Sequence, residues 1–305
     1  MHIPDGYLQP PVWAAADAVA VPAVLYLARR AQRDFDHHNI PLMGVMGAFI
    51  FAAQMINFPV GNGTSGHLVG GALLSYTLGP AAAAIVMTAI LATQALVFQD
   101  GGLLALGANV LNMAILGVAA GYLPYFLLRG KRAGVFLGGF CSVLTSALLA
   151  LGELMISGVA MPRGVVVVSI ALFIVSALIE GAISLVVVQS LERIHKGFLR
   201  QPGGLMSKGS LALAGSAVAM AACSIWIAST KPDGLEMLTQ KLGIEQQKKN
   251  VFVAPLGDYN PPGGGAGWIG HAMVGLAGLL VVFALCVIAA RVIAATRPSL
   301  GQDEA

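Results

Sequence analysis

The sequence VVVVSIALFIVSALIEGAISLVVVQSL, residues 165–191, contains a single ionisable side chain, Glu180. A helix needs about 20 mostly apolar residues to cross the hydrocarbon core of a bilayer, and this run is longer than that. It is therefore predicted to be a membrane-spanning helix.

The rest of the chain has the same apolar character. Of its 305 residues 57% are hydrophobic and only 10% are charged, and the mean hydropathy is +0.81. A soluble domain has about 25% charged residues, so a soluble protein is excluded. Nine apolar runs are predicted to span the membrane: Pro11–Ala28, Ile40–Asn57, His67–Leu78, Pro80–Phe98, Leu103–Leu128, Val135–Ile156, Val165–Leu191, Leu211–Ser229 and Trp268–Ala295. The predicted fold is an all-α, polytopic membrane helical bundle.

The spans divide into two groups. Residues 1–192 contain a seven-span core with short loops, and residues 193–210 form a basic, glycine-containing linker. Residues 211–305 contain a two-span C-terminal appendage around a loop, 230–267, which ends in the flexible sequence NPPGGGAG. Because two spans with a polar hairpin do not resemble part of a transport pore, the second group is predicted to be a fused accessory domain.

The basic residues predict the orientation. With the N-terminus outside, twelve of the 17 Lys and Arg residues fall on the cytoplasmic side, as the positive-inside rule requires. The same orientation brings Trp13, Trp226 and Trp268 to one outer interface. An odd number of spans then puts the C-terminus in the cytoplasm. We therefore expect a multi-pass protein of a bacterial or archaeal cytoplasmic membrane.

The first six residues, MHIPDG, place a histidine directly after the starting methionine. The amine of Met1, the amide nitrogen of His2 and the His2 imidazole Nδ1 form two fused chelate rings around one ion. The three nitrogens lie in one plane and leave a fourth in-plane position free. A planar nitrogen site suits Ni(II) or Cu(II), whereas Zn(II) prefers a tetrahedron.

His67 is the candidate for the fourth donor. It follows the outer loop NFPVGNGTSG and opens the short third span, on the same side as the N-terminus. Non-helical backbone at membrane depth is tolerated only where it lines a cavity or is buried in protein. The predicted metal ligands are therefore Met1, His2 and His67. Asp5, Asn57 and Ser65 are expected to support them from the next shell of residues.

Three acids lie inside predicted spans, and two interpretations of them stay open. They form a proton or cation path, or each is buried and paired with a polar side chain of a neighbouring helix. The acids are Asp17, Glu153 and Glu180, and the candidate partners are Asn109, Asn112 and Gln94. Three acids on three different spans do not define a relay, so we favour the second interpretation.

The sequence lacks the features that nucleotide binding, ATP hydrolysis and serine hydrolysis require. GNGTSG, residues 61–66, matches a dinucleotide fingerprint, but no strand pattern precedes it and no acid follows about 20 residues later. The sequence holds no P-loop, so ATP hydrolysis must come from a partner. Ser65 and His67 are too close in sequence to form a nucleophile–base pair with an orienting third group. No enzymatic activity, organic cofactor or nucleic-acid partner is expected.

The motifs at the N-terminus, around His67 and between the last two spans resemble those of a known family. MHIPDGYL at the N-terminus, GTSGHLVGG around His67 and GANVLNMAILG at 107–117 are similar to the substrate-binding membrane component of energy-coupling-factor nickel and cobalt transporters. KPDGLE, residues 231–236, resembles the small accessory subunit of the same systems. The resemblance covers essentially the whole chain, and it implies that the metal is held at Met1, His2 and His67.

The resemblance also implies partners and a substrate. Such a component works with a transmembrane coupling protein and cytoplasmic ATPase subunits, which agrees with the missing P-loop. A planar field of four nitrogens with a deprotonated amide favours Ni(II) over Co(II) as the transported ion. Uptake of Co(II) by the same mechanism is the first alternative. An ATP-independent secondary permease and a membrane metal sensor are alternatives of another class, and the role of loop 230–267 stays open.

Overall fold

The computed structural model describes residues 2–34, 40–199, 204–249, 251–261 and 267–295. These residues form eleven α-helices and one antiparallel β-hairpin. The helices are α1 (Pro10–Asp34), α2 (Ile40–Gln54), α3 (Gly71–Leu78), α4 (Pro80–Thr93), α5 (Leu106–Asn109), α6 (Gly117–Leu127), α7 (Arg132–Ile156), α8 (Arg163–Ile194), α9 (Lys208–Ile227), α10 (Gly234–Leu242) and α11 (Gly267–Ala295). The strands are β1 (Asn57–Gly61) and β2 (Thr64–His67).

Within the described part of the chain, seven helical segments are long and apolar enough to cross a membrane. Two of them include wider, π-helical turns: Gln94–Phe98 extends α4, and Val110–Leu116 joins α5 to α6. The other five are α1, α7, α8, α9 and α11. Helix α2 is also apolar but has only 15 residues, and almost all of them are buried. The prediction of a polytopic helical bundle is confirmed.

The third predicted span, His67–Leu78, is wrong in its first part. Residues 64–67 form strand β2, and helix α3 begins only at Gly71. An eight-residue helix rises about 12 Å, so α3 covers only part of a bilayer. It begins beside Glu180 in the middle of α8 and ends near the start of α7, where the Tyr76 hydroxyl donates to the Val135 carbonyl. Strand β2, which is buried, and residues 68–70 therefore replace the first part of the predicted helix, as is tolerated where non-helical backbone is buried in protein.

The acids inside the spans are all hydrogen-bonded. Asn112 donates its side-chain amide to Glu153 at 2.7 Å, Gly107 donates its backbone N–H to Asp17, and Val69 and Gly70 donate theirs to Glu180. Only Glu180 is buried, whereas Asp17 and Glu153 are partly exposed, and in the described part of the chain only Glu153 bonds to a polar side chain of a neighbouring helix. The structure therefore agrees with paired acids but not with the burial of all three. Of the three candidate partners, Asn112 bonds to one of the acids, whereas Asn109 bonds to Ile3 and Gln94 to Gln54.

The two C-terminal spans pack directly on the core through α2. A Cβ added at Gly44 would lie 2.7 Å from the side chain of Val287, and one at Gly47 would lie 2.6 Å from Cys286 Sγ. These small residues let α2 and α11 approach closely. The segment between α9 and α11 then folds back over the hairpin end of the bundle, where Ser229 N–H donates to the Asn57 carbonyl.

Candidate metal site

The N-terminal segment is anchored by its backbone before α1 begins. Asn109 clamps Ile3 from both sides: its Oδ1 accepts from the Ile3 N–H at 2.8 Å, and its Nδ2 donates to the Ile3 carbonyl at 3.0 Å. Gly102 N–H donates to the same carbonyl at 2.9 Å. Because the Ile3 side chain is fully buried, this anchor fixes the residue that follows His2.

Asp5 holds the next turn of the segment. Its carboxylate accepts backbone N–H groups from Leu103, Leu104 and Ala105 at 2.8–3.2 Å. Gly6, with φ of +94°, packs against the backbone of Gln247, where any Cβ would overlap the carbonyl oxygen. Asp5 therefore holds the N-terminal turn against residues 103–105, and Gly6 permits the accessory segment to lie directly on it.

The β-hairpin holds His67 in register with Asn57. The strands pair antiparallel, with Asn57 opposite His67 and Phe58 opposite Gly66. Directly after the strand, the two carboxylate oxygens of Glu180 accept the N–H groups of Val69 and Gly70, each at 2.8 Å. His67 is therefore fixed by the strand ladder before it and by a buried carboxylate behind it.

The surroundings of His67 define which ring nitrogen carries the proton. Its Nδ1 lies 3.0 Å from the Leu68 carbonyl oxygen, which only accepts hydrogen bonds, so Nδ1 carries the proton. Nε2 then presents its lone pair, as a metal ligand must. Burial is the largest cause that lowers the pKa of His67, to about 3, and the charge of His2 lowers it further. The ring is therefore neutral at physiological pH, which suits it to metal binding.

His2 lies beside His67 but faces a different partner. The two rings are stacked, with centroids 5.3 Å apart and planes 3° from parallel. His2 Nδ1 lies 3.1 Å from Asp100 Oδ1, and His2 Nε2 is buried with no hydrogen-bond partner in the described part of the chain. Desolvation raises the pKa of the Asp100 carboxyl, but the His2 charge and hydrogen bond outweigh it, so the net shift is downward.

Both rings line a cavity of about 230 Å³ that the C-terminal domain covers. The core contributes His2, Gln54, Met55, Asn57, His67 and Asp100, and the C-terminal domain contributes Ser224, Ile225, Ala228, Asp233, Glu236, Tyr259 and His271. Among the described residues, no group of three or more His, Cys, Asp and Glu side chains is arranged to hold a metal ion. The cavity therefore offers three histidines, His2, His67 and His271, and nearby carboxylates, but these side chains do not form a complete cage.

The KPDGLE motif forms the wall of the cavity opposite the hairpin. Asp233 caps α10 by accepting from the Leu235 and Glu236 N–H groups, and the Glu236 carboxylate accepts the Asp233 N–H in return. Ser65 joins this motif to the hairpin, since its N–H donates to the Pro232 carbonyl and its hydroxyl to the Lys231 carbonyl. Further along, the Tyr259 hydroxyl donates to Asp100 at 2.9 Å.

The sequence-predicted site residues fall into three groups. His2 and His67 are brought together, and Met1 lies outside the described residues. Asn57 lines the cavity, whereas Asp5 and Ser65 do not and instead hold the N-terminal turn and the KPDGLE motif. Each of the three expected supporting residues therefore contacts the cavity or a segment that forms it.

Several polar residues that line or hold the site were not predicted to be there, among them Asn109, Asp100, Asp233 and Tyr259. The sequence does contain a signal for Asp100. This residue follows the fourth apolar run, in a loop on the same side as the N-terminus, and could have been predicted to lie near His2. The KPDGLE motif lies in a loop whose role the sequence leaves open between a lid over the metal, a stabiliser and a gate, so its contact with the hairpin at Ser65 is not specified by the sequence. The clamp of Asn109 on Ile3 joins residues 106 positions apart and has no local signal.

Comparison with known proteins supports a role in metal transport. Residues 2–198 match the family described as "Cobalt uptake substrate-specific transmembrane region", and residues 207–295 match the PDGLE domain. A putative fused nickel transport protein of Archaeoglobus fulgidus is 34% identical over 93% of this chain and 96% of its own length. The cobalt transport protein CbiM of Salmonella typhimurium is 38% identical over 44% of this chain and 55% of its own.

Solved structures agree in fold. A crystal structure of a truncated transition metal transporter superposes with a TM-score of 0.57 at 35% sequence identity and covers 64% of this chain and all of its own. A second crystal structure of a transition metal transporter has the same TM-score at 34% identity, over 64% of this chain and 93% of its own.

Proposed function

The chain belongs to the family of cobalt uptake substrate-specific transmembrane regions, here fused to a PDGLE domain, and from this premise we propose that it captures Ni(II) and delivers it for ATP-driven uptake. It is a multi-pass membrane protein and a component of nickel or cobalt transport. The observation that carries the proposal is the pairing of His2 and His67 in one buried cavity, with ring centroids 5.3 Å apart.

The ion is proposed to bind in a plane of four nitrogens. Three come from the Met1 amine, the His2 amide and His2 Nδ1, and the fourth is His67 Nε2. His2 Nδ1 lies 3.1 Å from Asp100 Oδ1 in the structure. Binding therefore requires this nitrogen to exchange its contact with Asp100 for the ion. His67 already has the protonation state that this scheme needs.

Nickel is the proposed cargo, with cobalt as the competing one. A planar nitrogen field with a deprotonated amide favours Ni(II), which also forms stronger complexes than Co(II) with the same ligands. The Archaeoglobus relative is named for nickel and the Salmonella relative for cobalt, so both ions belong in the test. No organic cofactor is part of the proposed function.

We infer capture on the outer side of a bacterial or archaeal cytoplasmic membrane, with the N-terminus outside and the C-terminus inside. The support is the distribution of basic residues, since most fall at the end of the bundle away from the cavity. Because the chain has no P-loop, ATP hydrolysis is assigned to cytoplasmic ATPase partners, joined through a transmembrane coupling protein. The proposed boundaries are 1–192 for the metal-binding component, 193–210 for the linker and 211–305 for the accessory domain.

Metal loading in competition tests the choice of ion. The protein is purified after equal Ni(II) and Co(II) have been offered, and its metal content is measured by elemental analysis. We expect about one nickel per chain and little cobalt. Equal or greater cobalt would contradict the assignment of nickel, and neither metal would contradict the site.

Uptake of radioactive nickel in cells tests the mechanism. The chain is expressed with and without its ATPase partners, and uptake is expected only with them. Uptake at full rate without the ATPases would support a secondary permease using Asp17, Glu153 and Glu180. Tight binding with no uptake in either case would support a metal sensor.

A further inference from the structure

The end of the bundle opposite to the metal cavity carries an open cleft of about 840 Å³. It lies between the end of α6, the turn into α7, the end of α8 and the turn that follows α8. Because the spanning helix α7 begins at the cleft and the spanning helix α8 ends at it, the cleft lies at the depth of the membrane interface. None of its lining residues contributes to the metal cavity.

The rim of the cleft is basic. Arg129, Arg132 and Arg193 line it, and all three side chains are exposed. Arg129 and Gly130 both have left-handed backbone, with φ of +52° and +69°, so the chain reverses sharply and α7 begins with Arg132 at the cleft. The unpaired N–H groups and the dipole of a helix N-terminus add to the attraction for an anion there.

No carboxylate in the described part of the chain neutralises these arginines. None of the three forms an ion pair there, and Glu192 is the one acid that lines the cleft. Its two carboxylate oxygens accept the N–H groups of Gly197 and Leu199 at 2.9 and 3.0 Å. The cleft therefore keeps an excess of positive charge at a membrane interface.

The inner part of the cleft is apolar. Val135 and Val188 are buried in its wall, and Phe126, with 63% of its surface exposed, lies at its edge. A ligand that fits this arrangement carries a phosphate for the arginines and a hydrocarbon portion for the apolar wall. Guanidinium groups bind phosphate with two parallel hydrogen bonds, which favours arginine over lysine at such a site.

We propose that this cleft binds the phosphate headgroup of an anionic phospholipid. Basic pockets between transmembrane helices at the membrane surface are suited to such headgroups, and each basic residue near the surface contributes about a fivefold gain in affinity. A bound lipid would bridge the α6–α7 turn and the end of α8, and so brace the end of the core where the linker to the accessory domain begins.

Native mass spectrometry of the full chain in neutral detergent tests the proposal. The protein is titrated with phosphatidylglycerol and, in parallel, with phosphatidylcholine, which has no net charge. We expect retained phosphatidylglycerol and at least about tenfold weaker retention of phosphatidylcholine. Arg129→Gln, Arg132→Gln and Arg193→Gln should each weaken phosphatidylglycerol binding about fivefold, and together roughly a hundredfold.

Arg163→Gln is the matched control, because Arg163 is an exposed arginine at the first residue of α8, at the other end of the bundle. It should leave lipid binding unchanged. The single variants keep the test valid if the triple variant does not fold. Equal retention by the cleft variants and the control would overturn the proposal. Displacement of the lipid by millimolar inorganic phosphate alone would overturn the lipid as the ligand and assign the cleft to free phosphate.

Discussion

The N-terminal segment and the β-hairpin each contribute one histidine to the cavity, but they hold it differently. The His67 ring is bonded to the carbonyl of the next residue, on a strand backed by Glu180, so Nδ1 carries the proton and Nε2 the lone pair that a metal ligand needs. The His2 backbone is anchored through Ile3 by Asn109, while its ring is held by Asp100 on the cavity wall. One half of the proposed site is therefore preformed, and the other half must rearrange when the metal binds.

His67→Ala should have the largest effect of the side-chain substitutions. It removes one of the four proposed donors. We expect nickel affinity to fall by more than about a hundredfold, which is more than the loss caused by changing a residue that only contacts a ligand. Isothermal titration with nickel measures this. His271→Ala is the control, because His271 lines the same cavity but bonds to Gly267. An equal loss of nickel affinity in both variants would contradict the assignment of His67 as a ligand and His271 as a residue that only lines the cavity.

Asn109→Ala tests the anchor of the N-terminal half. The change leaves the buried Ile3 N–H without its acceptor and releases the residue after His2. We expect nickel affinity to fall by about 10–100-fold, as for an outer-shell partner. Asn112→Ala is the matched control. Asn112 lies one turn after Asn109 and bonds to Glu153 instead of Ile3, so its loss should affect nickel binding far less. An unchanged affinity in Asn109→Ala would mean that this anchor does not position the ligands.

Glu180→Gln tests the anchor of the hairpin half. The substitution turns one of the two acceptors facing Val69 and Gly70 into a donor, so one buried N–H loses its partner. That loss costs about 1–3 kcal/mol of stability, and nickel affinity should fall by about tenfold. Thermal melting in detergent and nickel titration are measured together. A wild-type melting curve would contradict the role assigned to this carboxylate.

Ser65→Ala is expected to have the smallest effect. It removes the hydroxyl bond to the Lys231 carbonyl but keeps the backbone bond to Pro232, so contact between hairpin and KPDGLE motif is weakened by about 1 kcal/mol. Nickel should dissociate a few times faster, as stopped-flow chelation would measure. A dissociation rate equal to that of wild type would show that this hydroxyl does not help to hold the cover of the cavity.

Much of the fold could be predicted because it depends on local patterns. Apolar run lengths identified most helices, and Gly79-Pro80 correctly separated α3 from α4. The end of the third span nearest His67 was wrong because Leu68 and Val69 extend the apolar run, although residues 68–70 belong to neither a strand nor a helix. The periodicity and length of the apolar runs give no signal for a β-hairpin at this place in the chain.

The site was predictable to the extent that its chemistry lies in one short segment. His2 follows Met1 directly, and His67 stood out because a glycine-rich loop precedes it. Asp100 and Asn109 were missed as site residues because their contacts with the N-terminal segment join distant positions, which only the packed helices bring together. The same reason hid the contact between Ser65 and the KPDGLE motif.

The central claim is that the N-terminal nitrogens and His67 bind nickel in one plane. X-ray absorption spectroscopy of the nickel-loaded protein tests it, with the native chain compared to one carrying a single extra residue before Met1. The native chain should give a square-planar, four-nitrogen spectrum, and the extended chain should lose both that signature and the bound metal. A six-coordinate spectrum in the native chain, or an identical planar spectrum in the extended one, would contradict the claim.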